Sequence, residues 1–348
     1  MSSEVRQALA DLLRSIPVQL EDPDPDASAR RLLDRLDGEG WTRVGLAEDL
    51  GGTGGDIGAA AAVIAACAAS GHLLPVSDMV ISARLVELAQ LPLGANLQCP
   101  LVVAAEGRSD PRGRLTVRGS RVPWARLASH LLVLHVDADG GAALGVVDAS
   151  GVEIEHGRNF VGEPRDSVVR EARPPMVAAS LNMSMPEAAL QLRLVGALVR
   201  SMQCAAAIER IVELAVAHCM ARHQFGKRLV DFQAVQQHLA ALRAEASAAA
   251  AAVDHALSRV GGPGERLPTA PIATAKVRTA LAAGSAARLA HQVHGAIGIA
   301  LEYPLQSYTR ALWSWRDEFG NEHEWGSTLV SALAATAAGP TWESLTAV

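Results

Sequence analysis

The sequence contains few aromatic residues and no concentrated block of basic residues. Aromatic side chains occupy 3% of the 348 positions, so alanine, leucine and valine provide most of the apolar surface. Such a composition favours helices that pack closely through small side chains. The formal net charge is −6 at pH 7, and no lysine/arginine cluster offsets it. Nucleic acid is therefore not an expected partner.

Cysteines and long apolar runs are also scarce. The four cysteines, Cys67, Cys99, Cys204 and Cys219, are widely spaced and form no Cys-x-x-Cys motif, which predicts reduced and mostly buried thiols. The longest apolar run, residues 59–69, is shorter than the ~18–20 residues that a membrane-spanning helix needs. The N-terminus has early acidic residues and no apolar signal region. We expect a soluble, cytoplasmic protein without a membrane partner.

Three regions differ in their hydrophobic pattern. Residues 1–95 carry apolar residues at helical spacing, which predicts an N-terminal helical domain. Residues 96–174 contain short alternating runs separated by glycine, aspartate and serine, which predicts a small antiparallel β domain. Residues 175–348 return to long helical patterns, one of them running from Glu187 to Arg222. The predicted fold class is α+β, with a C-terminal four-helix bundle.

The segment 221–236, ARHQFGKRLVDFQAVQ, separates two alanine-rich helical patterns with residues that a plain connection does not need. Arg222 at a helix end, close to Gly226, is suited to bind an anion, because the glycine lets the backbone approach. Phe225 offers a flat apolar surface, and Gln233 offers an amide. A simple helical corner capped by an arginine is the competing interpretation.

Three stretches of the chain resemble signatures of the acyl-CoA dehydrogenase family. They are GEGWTRVGLAEDLGGTGGDIGAA (38–60), the segment 221–236, and AKVRTALAAGSAARLAHQVHGAIGIALEYPLQSYTR (275–310). The resemblance covers nearly the whole chain and includes the order of helices, β domain and helical bundle. It implies that residues of the two bundle segments grip the adenosine-diphosphate half of an FAD bound to a neighbouring subunit. These implied cofactor residues are Arg222, Gln224, Phe225, Gly226, Gln233, Gln292, His294, Gly295 and Ala296, and the family usually has a glycine where Ala296 stands.

The middle region resembles the family less closely where the flavin ring would bind. The family has a Thr-Glu-Pro loop that ends in Gly-Ser-Asp, followed later by a Trp-Ile-Thr strand. This chain keeps Glu106, Ser109 and Asp110 but lacks the threonine and the proline, and Trp124 is not followed by Ile-Thr. The resemblance therefore implies that the chain's own flavin pocket is reduced.

The catalytic glutamate of the family is missing from both places where it could stand. In the family reaction this glutamate removes the α-proton of an acyl-CoA thioester, and the flavin accepts the β-hydride. Alignment with the family places its commoner position at Phe319 and its alternative, 26 residues before Arg222, at Gly196. Glu318 is adjacent, but one residue on a helix is a rotation of about 100°, so a solvated polar residue is the competing interpretation.

These features predict one subunit of an FAD-dependent acyl-CoA dehydrogenase. The chain is similar to the subunit without a catalytic glutamate in actinobacterial α2β2 enzymes of steroid side-chain breakdown. Its partner would be a second acyl-CoA dehydrogenase-like subunit that carries the glutamate, with FAD shared between them and a bulky acyl-CoA as substrate. Two alternatives stay open: a homomeric dehydrogenase with Glu318 as base, and a flavin-free scaffold or binding protein. His291 and His294 share a helix face without further ligands, so no metal site is predicted.

Overall fold

The computed structural model describes residues 2–16, 18, 22–91, 101–104, 106–137 and 139–336. The N-terminal part is helical, as predicted. Asp56 caps the third helix by accepting a hydrogen bond from the Ala59 backbone N–H at 2.9 Å, because the first turn of a helix leaves its N–H groups unpaired. The four helices are α1 (Ser2–Arg14), α2 (Pro25–Gly38), α3 (Ile57–Ser70) and α4 (Val76–Ala89).

The described strands of the middle part are β1 (Leu101–Ala104), β2 (Glu106–Ser109), β3 (Leu115–Pro123), β4 (His130–Val136), β5 (Ala142–Asp148), β6 (Glu153–Glu155), β7 (Arg165–Arg173) and β8 (Val177–Ser180). They form one sheet with the order β6-β7-β3-β2-β4-β5-β8, and β1 lies beside β4. Most pairs are antiparallel, but β1 and β2 both pair with β4 in parallel, which an alternating sequence pattern cannot reveal. Strand β8 lies beyond residue 174, where the predicted β region ends.

The C-terminal part is a bundle built around one long helix. This helix, α5, has 37 residues and starts at a capping box formed by Ser184 and Glu187. It packs against α3 and α4 of the N-terminal part and against three later helices of the bundle, so it lies at the centre of the described structure. The bundle elements are α5 (Met185–Ala221), the hairpin strands β9 (His223–Gln224) and β10 (Lys227–Arg228), α6 (Gln233–Ser258), α7 (Thr269–His294), α8 (Leu305–Asp317) and α9 (Glu322–Thr336).

The predicted α+β architecture is confirmed, and the three parts share a core. Ile81 of α4, Leu132 of β4 and Leu194 of α5 belong to one cluster of buried apolar side chains. Cys67, Cys204 and Cys219 are free and buried, whereas Cys99 lies outside the described residues. None of the described helices combines the length and the apolar composition that crossing a membrane requires.

Candidate functional site

The corner between α5 and α6 is a tight two-residue hairpin. Arg222 leaves the helical conformation with ψ of 127°, yet its N–H still donates to the carbonyl oxygen of His218 at 2.9 Å. Strands β9 and β10 then pair through a turn in which Phe225 (φ 52°) and Gly226 (φ 80°) both have positive φ. Two consecutive positive φ values are what such a turn requires, and a phenylalanine rarely adopts one. The hairpin leaves the Phe225 side chain 92% exposed.

The charged and aromatic groups of this corner are available to a ligand. Arg222 is exposed and forms no ion pair with any described residue, whereas Arg228 is held by Asp231 at 3.0 Å. The ring of Phe225 touches that of Phe232 edge-on, with centroids 6.3 Å apart. Gln224 and Gln233 are exposed as well. An unpaired guanidinium, a flat ring and two amides on one exposed corner are a suitable set for a phosphate-linked nucleotide.

A second helix break lies at the end of α7. Gly295 has φ 64° and ψ −144°, a conformation that is essentially restricted to glycine, and a short 3₁₀ turn follows. Gln292, Gly295 and Ala296 are exposed, as a cofactor contact needs. Ala296 has the helical turn conformation of this 3₁₀ segment.

His294 differs from the other predicted cofactor residues because its side chain points into the protein. Its Nδ1–H donates to the carbonyl oxygen of Ala290 at 2.7 Å, and its Nε2 lies 3.2 Å from the hydroxyl of Tyr303. Burial lowers the pKa of His294, so the neutral ring is favoured. Both ring nitrogens are used within the chain, and a cofactor contact of His294 stays a prediction.

The two helix breaks lie at the same end of the bundle. The rings of His218, in the last turn of α5, and His294, at the end of α7, stack with centroids 4.6 Å apart. Large exposed apolar side chains gather on the same segments, and clusters of this kind mark interaction surfaces. They are Val216, Met220, Phe225, Ile297, Ile299 and Leu301, and we call them the apolar rim.

The two possible positions of a catalytic glutamate also meet in space. A Cβ atom added to Gly196 on α5 would lie 2.2–2.6 Å from three ring carbons of Phe319. Phe319 itself has φ 59°, and its carbonyl oxygen accepts a hydrogen bond from Trp325 Nε1 at 2.9 Å. The phenyl ring of Phe319 therefore fills the space beside Gly196, and neither of the two base positions carries an acid.

Glu318, the remaining candidate base, is bound by cations on both carboxylate oxygens. Oε1 accepts from Arg165 Nε at 2.8 Å and from Asn159 Nδ2 at 3.1 Å. Oε2 accepts from Arg165 Nη2 at 2.9 Å and from Arg200 Nε at 2.8 Å. The carboxylate is almost fully buried, so little of it remains to accept a proton from a substrate.

The electrostatics of Glu318 also oppose a role as base. Burial by itself would raise its pKa, but the charges of Arg200 and Arg165 and the hydrogen bonds from Arg165 and Asn159 outweigh burial and hold the pKa at about 2. A general base works best with a pKa near the operating pH. Glu318 is accordingly a counter-ion to two arginines, which does not favour the alternative of a homomeric enzyme that uses it as base.

These arginines belong to a larger buried ion cluster, which we define as Asp78, Glu163, Arg165, Arg200 and Glu318. Arg200 Nη2 donates to Asp78 Oδ1 at 2.5 Å, and Arg165 Nη2 donates to Glu163 Oε2 at 2.9 Å. Burial raises the pKa of Glu163. Sequence reasoning missed this cluster, although a charged residue within the apolar stretch LVGALVRSM was a signal that Arg200 has a partner.

The residues that resemble the family's flavin loop have local roles here. Asp110 accepts hydrogen bonds from the backbone N–H groups of Arg112 and Arg114, both at 2.9 Å, and so forms a turn. Ser109 Oγ lies 3.3 Å from Nδ1 of His135. Trp124 is buried in the apolar core of the sheet, and Glu106 opens β2. The reduced flavin pocket of this chain stays a prediction.

Comparisons with known proteins place this geometry in context. Residues 188–316 match the sequence profile "Acyl-CoA dehydrogenase, C-terminal domain". A solved ChsE4-ChsE5 complex from Mycobacterium tuberculosis has a TM-score of 0.78 and 22% identity, covering 97% of this chain and 98% of that chain. Butyryl-CoA dehydrogenase from Megasphaera elsdenii has a TM-score of 0.77 and 17% identity, covering 95% and 98%. The chain has the acyl-CoA dehydrogenase fold.

A third similar structure is a variant of the Tcur3481-Tcur3483 steroid ACAD, with a TM-score of 0.77 and 20% identity, covering 97% of this chain and 100% of that chain. A search of curated protein sequences finds no match. The family profile thus covers residues 188–316, and the similarity to the solved structures shows the fold. Within this fold, the helix breaks at Arg222 and Gly295 and the residue Phe319 are the features that bear on function.

Proposed function

We propose that this chain is a subunit of an FAD-dependent acyl-CoA dehydrogenase and completes the FAD site of a partner subunit. The observation that carries the proposal is the packing of the Phe319 ring against Gly196. Both base positions are apolar, and the Phe319 ring fills the space beside Gly196. This chain therefore has no group there that could take an α-proton. The partner is a second acyl-CoA dehydrogenase-like subunit that carries the glutamate. Two similar structures, a ChsE4-ChsE5 complex and a steroid ACAD, suggest a heteromeric enzyme for a bulky CoA thioester.

The exposed end of the bundle suits the adenosine-diphosphate half of FAD. Arg222 is exposed without an ion-pair partner among the described residues, so its guanidinium can bind a pyrophosphate in a charge-assisted contact. A Cβ atom added at Gly226 or Gly295 would have no neighbour within 4 Å, so open space lies beside both glycines for a ligand to approach the backbone. Phe225 adds a flat apolar surface, and FAD bound there would accept the β-hydride of the thioester.

In this arrangement the chain binds and orients while its partner supplies the base. Arg222 and the amides of Gln224 and Gln233 hold the nucleotide end of the cofactor. The apolar rim packs against the partner, which removes its side chains from water and closes the site to solvent. Lowering the dielectric around the Arg222 contact makes that ion contact stronger than it would be at a free surface.

The test is the substitution Arg222→Ala in the complex purified with its partner. Loss of hydrogen bonds to a charged group costs about 1.5–3 kcal/mol, so we expect FAD to bind roughly 10- to 100-fold more weakly. Flavin content after gel filtration and a fluorescence titration of the apo complex measure this. Arg243→Ala is the matched control, because Arg243 is an exposed arginine of α6 that pairs with Glu209 and lies outside the corner.

Equal flavin affinity in the Arg222→Ala and Arg243→Ala complexes would contradict the role of the corner. Flavin bound stoichiometrically by the chain alone, with turnover of an acyl-CoA, would favour the homomeric enzyme. Absence of flavin from every combination of subunits would favour the flavin-free scaffold.

A further inference from the structure

The buried ion cluster joins all three parts of the chain. Asp78 comes from α4, Arg200 from α5, and Glu318 from the end of α8. Glu163 and Arg165 come from the chain that enters β7. Each guanidinium bridges two parts, since Arg200 contacts Asp78 and Glu318 while Arg165 contacts Glu163 and Glu318. Glu318 is therefore the residue on which both bridges converge.

Burying five charges is an unusual way to fill the centre of a fold. Removing ions from water is costly, and apolar side chains of similar volume often serve stability as well or better. The cluster is closely satisfied, because Gln203, Asn159 and Trp315 add further hydrogen bonds to its members. Such an arrangement holds the three parts of the chain in one geometry, because a movement of any part would break the ion pairs and hydrogen bonds of the cluster.

The cluster lies directly beside Gly196 and Phe319, the two positions that lack a catalytic glutamate. Arg200 stands four residues after Gly196, one turn further along the same face of α5, and its guanidinium lies 5.5 Å from the centroid of the Phe319 ring. Glu318 precedes Phe319 in the chain. The ions and the phenyl ring thus occupy neighbouring positions at the junction of the N-terminal helices, the sheet and the bundle.

We propose that this cluster is a clamp that holds the three parts of the chain together in the absence of a ligand of its own. A ligand that binds only the folded state of a protein stabilises that state. In this chain, the salt bridges of the cluster provide such stabilisation in place of a ligand. The inference rests on the proposed function in one respect, namely that this chain supplies no catalytic base at Gly196 or Phe319. It implies that the isolated chain is folded without flavin and gains no stability from it.

The test compares Glu318→Gln with Glu209→Gln in the isolated chain by thermal unfolding, with and without added FAD. Removing one partner of a buried charge cluster strands the arginines, so we expect the midpoint to fall by about 5–10 °C for Glu318→Gln. The exposed pair of Glu209 and Arg243 is the control, and its loss should change the midpoint by less than about 2 °C. FAD should leave the wild-type midpoint unchanged.

Equal midpoints for the two variants, or a rise of the wild-type midpoint with FAD, would overturn the clamp. If Glu318→Gln is recovered only unfolded, hydrogen exchange of the wild-type chain decides. The clamp requires α4, β7 and the middle of α5 to lose protection together, and separate opening of one of them would refute it. The proposed function is read from flavin in the complex with Arg222→Ala, so failure of one proposal does not imply failure of the other.

Discussion

Replacing Gly196 with alanine tests whether the Phe319 ring fills the space beside position 196. The added methyl group would lie 2.2–2.6 Å from three carbons of the Phe319 ring, where carbon atoms prefer a separation of ~3.5–4.0 Å. The ring would have to move by more than about 1 Å. The hydrogen bond from Trp325 to the Phe319 carbonyl and the guanidinium of Arg200 over the ring resist that movement.

The expected magnitude is the difference between two opposing effects. Glycine in a helix is less favourable than alanine by about 0.5–1 kcal/mol, so the substitution alone would stabilise α5. Overpacking a filled core typically costs about 1–3 kcal/mol. We therefore expect Gly196→Ala to destabilise the chain by about 1–2 kcal/mol. In a Phe319→Ala background the obstacle is gone, and the same substitution should stabilise by up to about 1 kcal/mol.

The assay is urea unfolding of the four proteins of this cycle, monitored by circular dichroism. Gly284→Ala on α7 is the matched control, because a Cβ atom there would have only one neighbour, Arg316 Nη1, at an ordinary 3.7 Å. This control should be neutral or stabilising. The same effect of Gly196→Ala in both backgrounds would refute the contact between the two base positions.

Two further predictions concern Glu318 and Phe225. The folded pKa of Glu318 is depressed from 4.5 to about 2, so the stability it provides is complete above about pH 4.5 and is lost as the pH falls towards 2. The difference in unfolding free energy between wild type and Glu318→Gln should shrink by about 3 kcal/mol over that range, and a pH-independent difference would contradict the shift. Phe225→Ser removes the most exposed side chain of the apolar rim and should weaken subunit association at least tenfold in analytical ultracentrifugation, whereas Val330→Ser, at an exposed position of α9, should not. Equal dissociation constants for these two variants would exclude the rim from the interface.

Local features of the fold could be predicted because short, contiguous stretches of sequence determine them. The long helix predicted from Glu187 to Arg222 is observed from Met185 to Ala221, since its apolar periodicity and its capping residues are contiguous. The break at Arg222 was predicted from residue types that do not suit a helix interior. The exposure of Phe225 follows from the glycine beside it, which permits the tight turn.

Features that depend on residues far apart in the chain could not be predicted. Arg200 and Glu318 are 118 positions apart, and no local pattern shows that they form a salt bridge. Glu318 therefore looked like a solvated residue at a helix end, although it is buried between two arginines. The sequence also could not show that the ring of His294 is buried, with its Nε2 3.2 Å from the hydroxyl of Tyr303.

The number of FAD molecules bound per chain decides whether this chain completes its partner's FAD site. The chain should be purified alone and together with its partner subunit, and flavin absorbance should be compared with protein concentration. We expect no flavin on the isolated chain and one FAD per two chains in the complex. One FAD on each chain of the complex, or full occupancy of the isolated chain, would contradict it.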